Sequence, residues 1–81
     1  MERSEIFSKL QNVFDATFMD EVNVTDSLTA RDVEEWDSLT HVSLILAIEE
    51  AFKLRFRVGE VEATKNVGEL VSLIQKRLEQ K

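Results

Sequence analysis

The chain has 81 residues, 43% hydrophobic and 32% charged, with two glycines, no proline, no cysteine and a formal net charge of −6. One domain of this size buries a small core and has little room for a deep substrate pocket as well, which argues against an elaborate enzyme. The lack of cysteine excludes disulfides and thiolate chemistry made by the chain itself, and the acidic balance argues against nucleic acid, whose phosphates need clustered Lys and Arg. In chain order, Ile6, Phe7, Leu10, Val13, Phe14 and Phe18 recur at helical spacing, which predicts a first helix over about Glu5–Phe18 with Ser4 as its N-cap. Periodicity then fails, and residues 19–37 carry the Asn, Thr, Asp and Ser that bond nearby backbone, so a long loop is expected, anchored by Val22, Val24, Leu28 and Val33. Such a length is unusual in a compact domain and points to a functional or shape-defining loop.

A second helix is predicted from an Asp37 N-cap to Phe52 or Lys53, its carboxylate accepting from the free N–H groups of the first turn. The stretch "GEVEA", Gly59–Ala63, predicts one short helical turn. Asn66 then caps a last helix in which Val67, Leu70, Val71, Ile74 and Leu78 form an apolar stripe, with Lys76 and Arg77 suiting the C-terminal dipole. The expected fold is all-α: a single domain over residues 1–81, a small four-helix bundle of three main helices plus a short one. The longest apolar run, Val42–Ile48, is far short of the roughly 20 residues a bilayer requires, and no cleavable leader is visible; a cytoplasmic protein without membrane contact is expected.

At about 100° per residue the second helix has two apolar faces. Leu44, Ile45, Ile48 and Phe52 form a core stripe flanked by His41 and Ala51, while Leu39, Val42 and Leu46 fall nearly opposite, beside Ser43, Glu49 and Glu50. A domain this small can hardly bury both, so the second stripe is expected to stay exposed as a protein-binding patch. Residues 1–52 carry twelve acidic and three basic side chains, net −9, and residues 53–81 four and seven, net +3. A basic partner would thus be steered to the half that holds the second helix. Ser38 ends the second stripe, and a phosphate attached there would meet the N–H groups and positive dipole of a helix start, worth about 0.3–1 kcal/mol.

The run "EEWDSLTHVSLILAIEEAF", Glu34–Phe52, carries a family resemblance. "WDSL", followed at its proper distance by "EE-x-F" inside an acidic helical chain of about 80 residues, resembles the acyl carrier proteins over nearly the whole length, through to "NVGELVSLI". The resemblance implies that a phosphopantetheinyl transferase joins 4'-phosphopantetheine from coenzyme A to Ser38, with Asp37 the acidic neighbour used in the transfer and Leu39 a contact for that enzyme. It implies an acyl group carried as a thioester on the arm's thiol. It implies docking by acyl-transferring, ketosynthase-type or acyl-activating enzymes on Leu39, Val42, Leu46, Glu49 and Glu50. Thr40 and Ser43 stand where the family is usually acidic, His41 lies between them, Glu35 replaces the usual glycine before "WDSL", and Arg55 and Arg57 add positive charge. Together these point to a dedicated carrier for a specialised, polyketide-like pathway, with fatty-acid biosynthesis beside it. A monomer is expected, since one exposed face must engage successive enzymes.

Other readings are weaker. Ser38 and His41 are three apart and could meet on a helix, but a hydrolase would also need an orienting group and an oxyanion hole. The acidic residues lack the alternation and central glycine of a calcium loop, so no metal is expected. Trp36 is expected to pack over the start of the second helix. The runners-up are an unmodified helical interaction adaptor and an aminoacyl or peptidyl carrier.

Overall fold

The computed structural model describes residues 1–79, which form three α-helices: α1 over Arg3–Thr17, α2 over Ser38–Phe52 and α3 over Val67–Glu79. A three-residue 3-10 turn, Ala30–Asp32, interrupts the long first loop, and no strand occurs among the described residues. Both α2 and α3 pack on α1. The helical spacing explains why. Ile6, Leu10 and Phe14 lie four apart along one face of α1, Leu44, Ile48 and Phe52 do the same on α2, and Val67, Val71 and Ile74 line α3; all are buried. Each such side chain taken from water contributes roughly 1.5–3 kcal/mol.

Helix α1 begins two residues earlier than its apolar pattern predicts, and Ser4 lies inside it rather than capping it. The reason is long-range. Arg3 donates to the Asp26 carboxylate at 2.8 Å, to the Gly68 carbonyl at 3.1 Å and to the Ser72 hydroxyl at 3.0 Å, so the chain is already fixed against α3 and the loop at that point. The Ile6 N–H bonds the Glu2 carbonyl, and the Glu2 N–H donates to the Glu5 carboxylate at 3.4 Å.

The first loop is stitched down at several points. Val22 and Val33 are buried, and Val24 and Leu28 pack against the core. The Gln11 side-chain amide donates to the Val22 carbonyl at 2.6 Å and accepts from the Val24 N–H at 3.0 Å, pairing with the loop much as a neighbouring strand would. Farther along, the Leu28 and Asp26 carbonyls accept the N–H groups of Val67 and Gly68 at 2.8 and 2.9 Å. Two orphan donors at the start of α3 are thereby satisfied by the loop. The approach is so close that a Cβ on Gly68 would sit 3.0 Å from the Asp26 carbonyl oxygen.

After α2 the chain turns at Lys53, whose φ of 55° is left-handed, and the Leu54 N–H closes back on the Glu49 carbonyl. The short helix expected at Gly59–Ala63 is instead a run of turns, with one i→i+4 bond from the Ala63 N–H to the Gly59 carbonyl. Gly59 adopts φ 81°, which a right-handed helix cannot accommodate. The short helical element of the fold is the 3-10 turn in the first loop. Asn66 caps α3 as predicted, its side-chain oxygen accepting from the Glu69 N–H at 2.9 Å.

Candidate functional site

The start of α2 is held by a reciprocal cap. Asp37 is extended, and its Oδ1 accepts from the N–H groups of Leu39 and Thr40, both at 3.0 Å. Thr40 answers: its hydroxyl accepts from the Asp37 N–H at 2.8 Å and donates to the Glu35 carbonyl at 2.6 Å. Glu35 is itself fixed, its carboxylate accepting from the Met19 and Asp20 N–H groups at 3.1 and 2.8 Å. Two of the positions that depart from the usual motif, Glu35 and Thr40, therefore secure the ends of the loop and of α2. A Thr three residues after an Asp is a reciprocal-cap signal that was available in the sequence; the partners of Glu35, 15 and 16 residues away, were not.

The Thr40 N–H first, and the Thr40 hydroxyl and Leu39 N–H with it, hold the Asp37 carboxyl below its ordinary value of 3.8, against a smaller opposing effect of desolvation. A depressed carboxyl stabilises the fold in full above its unfolded value, and that contribution is lost as pH falls through the folded one. Asp37→Asn should accordingly lower the melting temperature at pH 7, and the gap from the parent should close as pH drops below about 3.8. Thermal melts from pH 7 to 2 test this; a gap unchanged across the range would show that the charge on Asp37 contributes nothing.

Trp36 packs edge-on against Phe14, with ring centroids 5.4 Å apart, lies 6.0 Å from Phe18 and stacks on His41 at 6.2 Å. Its indole N–H donates to His41 Nδ1 at 3.0 Å, and His41 Nε2 faces Glu62 Oε1 at 3.3 Å. Since Nδ1 is an acceptor, the neutral imidazole must carry its proton on Nε2. A long-range proton–nitrogen NMR spectrum of neutral His41 should show that tautomer, and Trp36→Phe should release it. Both ring nitrogens are thus engaged away from Ser38, which removes the geometry a Ser38–His41 hydrolase would need.

Ser38 is the first residue of α2, exposed, and its hydroxyl makes no hydrogen bond among the described residues. It opens onto a groove of about 540 Å³ between α2, the first loop and the turns before α3, with an apolar floor that includes Trp36, Val61 and Leu70. On the other side of Ser38 runs the second stripe, with Leu39, Val42 and Leu46 exposed at 81%, 56% and 61%. Glu50 is exposed beside it, whereas Glu49 is half-buried and spends one oxygen on the Phe56 N–H at 2.8 Å. No cluster of His, Asp and Glu among the described residues could hold a metal ion, and no helix there is long and apolar enough to cross a membrane.

No protein-family model matches the chain. Individual relatives do. The acyl carrier protein of Thermotoga maritima is 34% identical over 77 residues, covering 94% of this chain and 95% of the relative. The chain belongs to the acyl carrier protein family. The acyl carrier protein of Rubrobacter xylanophilus is 37% identical over 75 residues, covering 91% of this chain and 93% of its own. The solution structure of holo acyl carrier protein from Geobacter metallireducens superposes with a TM-score of 0.76 at 35% identity, covering 96% of this chain and 86% of that one. An acyl carrier protein is a carrier rather than an enzyme, in keeping with an exposed serine that has no activating base of its own. In this acyl carrier protein one expectation about the serine needs correction. The Leu39 and Thr40 N–H groups are not open to a phosphate on Ser38, because the Asp37 carboxylate already accepts from both.

Proposed function

We propose that Ser38 is the attachment point for 4'-phosphopantetheine from coenzyme A and that the chain presents acyl groups to the enzymes of a dedicated, specialised pathway. The observation that carries this reading is the state of the Ser38 hydroxyl: exposed, without a hydrogen bond among the described residues, at the first residue of the capped helix α2 and between an open groove and an exposed apolar stripe. Membership of the acyl carrier proteins supports it further. The residues fit the group. Nothing has to move for Ser38 Oγ to be esterified, and the Asp37 cap draws its hydrogen bonds onto Oδ1, leaving Oδ2 without one among the described residues and free to face a metal ion supplied by a transferase. When attached, the arm supplies a terminal thiol on which an acyl group rides as a thioester.

The chain's own residues then do three things. Ser38 fixes where the arm begins. Leu39, Val42 and Leu46 offer apolar contact to the transferase and to acyl-handling enzymes, and Glu50, with the remaining oxygen of Glu49, favours partners with a basic rim. Thr40 and Ser43 in place of acids, with His41 between them, and the exposed Arg55 and Arg57 change the charge pattern a housekeeping fatty-acid enzyme would meet, which supports a specialised partner set. A cytoplasmic location and a monomer accord with this role.

The test is direct. Purified protein incubated with coenzyme A and a broad-specificity phosphopantetheinyl transferase should gain the mass of one phosphopantetheine. Failure with several transferases of proven activity would instead support an unmodified adaptor that shares the carrier fold.

A further inference from the structure

An arm on Ser38 would enter a groove whose charges are poorly balanced for it. Asp37 and Glu62 both line the opening that Ser38 shares. The Asp37 charge is fixed by the bonds from Thr40 and Leu39, which also remove those two N–H groups as anion donors. His41, which also lines the groove, is bracketed by Trp36 and Glu62. A phosphodiester at Ser38 therefore adds negative charge to a place that already holds two carboxylates.

Among the described residues one lysine or arginine lines the groove, Lys65. Its side chain is exposed and makes no hydrogen bond or ion pair among the described residues, although its backbone N–H is held by the Glu69 carboxylate at 3.1 Å. The contrast with Arg3 and Arg77 is informative, since both of those are committed to carboxylates, Asp26 and Glu60. The groove thus presents, among the described residues, an uncommitted ammonium on a backbone pinned in place and, in the same lining, a serine with an uncommitted hydroxyl.

We propose that Lys65 is the counter-cation for the phosphodiester on Ser38 and so holds the first part of the arm in the groove, over Trp36 and Val61, when no partner is docked. The inference rests on the carrier reading and deepens it. Lysine suits the task, being a flexible point charge with three donors rather than a rigid fork. Because the pair is exposed, the hold is weak and screened by salt, favouring the retained arm by less than about tenfold. A docked partner can therefore draw the arm out. Lys65 is a positioning residue in this account, acting on the arm through its charge.

The experiment converts the protein to its phosphopantetheinylated form, verifies that form by mass, and reads NMR contacts at low salt between the arm's geminal methyl groups and the Trp36 ring and Val61 methyls. Contacts are expected in the parent, several-fold weaker in Lys65→Gln and weaker again in Lys65→Glu, and retained in Lys65→Arg and in the control Lys76→Gln. Raising the salt to about 1 M, where the screening length shrinks to about 3 Å, should bring the parent down to the level of Lys65→Gln. Spectra of the unmodified variants show whether each is folded, which an exposed lysine permits. Equal contacts in the parent, Lys65→Gln and Lys65→Glu, or none in the parent, overturn the proposal for Lys65 alone. Failure of the protein to gain the mass at all overturns the carrier reading and this inference with it.

Discussion

Ser38→Ala abolishes the phosphopantetheine mass gain completely while leaving the protein folded. The two halves of that expectation have separate grounds. The hydroxyl oxygen is the only heavy atom the substitution removes, and without it there is no side-chain oxygen at this position to form the ester. Folding is spared because the side chain is exposed and takes no part in the cap, which Asp37 and Thr40 make between them. Alanine is also a good helix residue, so a stability change within about 0.5 kcal/mol is expected. Ser43→Ala, on the same helix and also exposed, serves as the control and should still gain the mass. Intact-protein mass spectrometry with a thermal melt reads both outcomes. A mass gain on folded Ser38→Ala would mean that another serine is the attachment point.

The largest effect on stability is expected at Phe14. Its ring is wholly buried and lies 5.4 Å from both Phe18 and Trp36, so it joins α1 to the segment that leads into α2. Phe14→Ala removes a ring that its neighbours cannot replace without collapsing, and such changes cost about 3–5 kcal/mol. Domains of this size have about 5–15 kcal/mol in total, and each kcal/mol shifts the melting temperature by about 4–8 °C. A fall of more than about 12 °C is therefore expected in a far-ultraviolet circular dichroism melt. Trp36 emission should move to longer wavelength at temperatures where the variant is still folded, because the indole loses its edge-on partner. A loss below about 1 kcal/mol, or an unchanged Trp36 spectrum, would show that the aromatic cluster does not support the site as described.

Much of this was legible in the sequence, and the division follows the range of the interactions. Local patterns carried the helices: the four-residue spacing through Leu44, Ile48 and Phe52 and the caps at Asp37 and Asn66 lie where expected. The exposed stripe of Leu39, Val42 and Leu46 was readable for the same reason, since a small bundle has too few elements to cover both sides of α2. What the pattern missed depends on distant partners. The early start of α1 comes from Arg3 reaching residues 23, 65 and 69 positions away. The commitment of Glu49 to the Phe56 N–H, and of Glu35 to the Met19 and Asp20 N–H groups, likewise leaves no local trace. The short helix was displaced by a single backbone angle at Gly59.

The interlocked first turn of α2 has a mechanical consequence. With Asp37, Thr40 and Glu35 bonded to one another and the Trp36 ring wedged behind them, Ser38 stands on a stiff pivot. Any sweep made by a group hung there belongs to the group alone, so an approaching enzyme has only to recognise a fixed post and never has to wait for the post to settle.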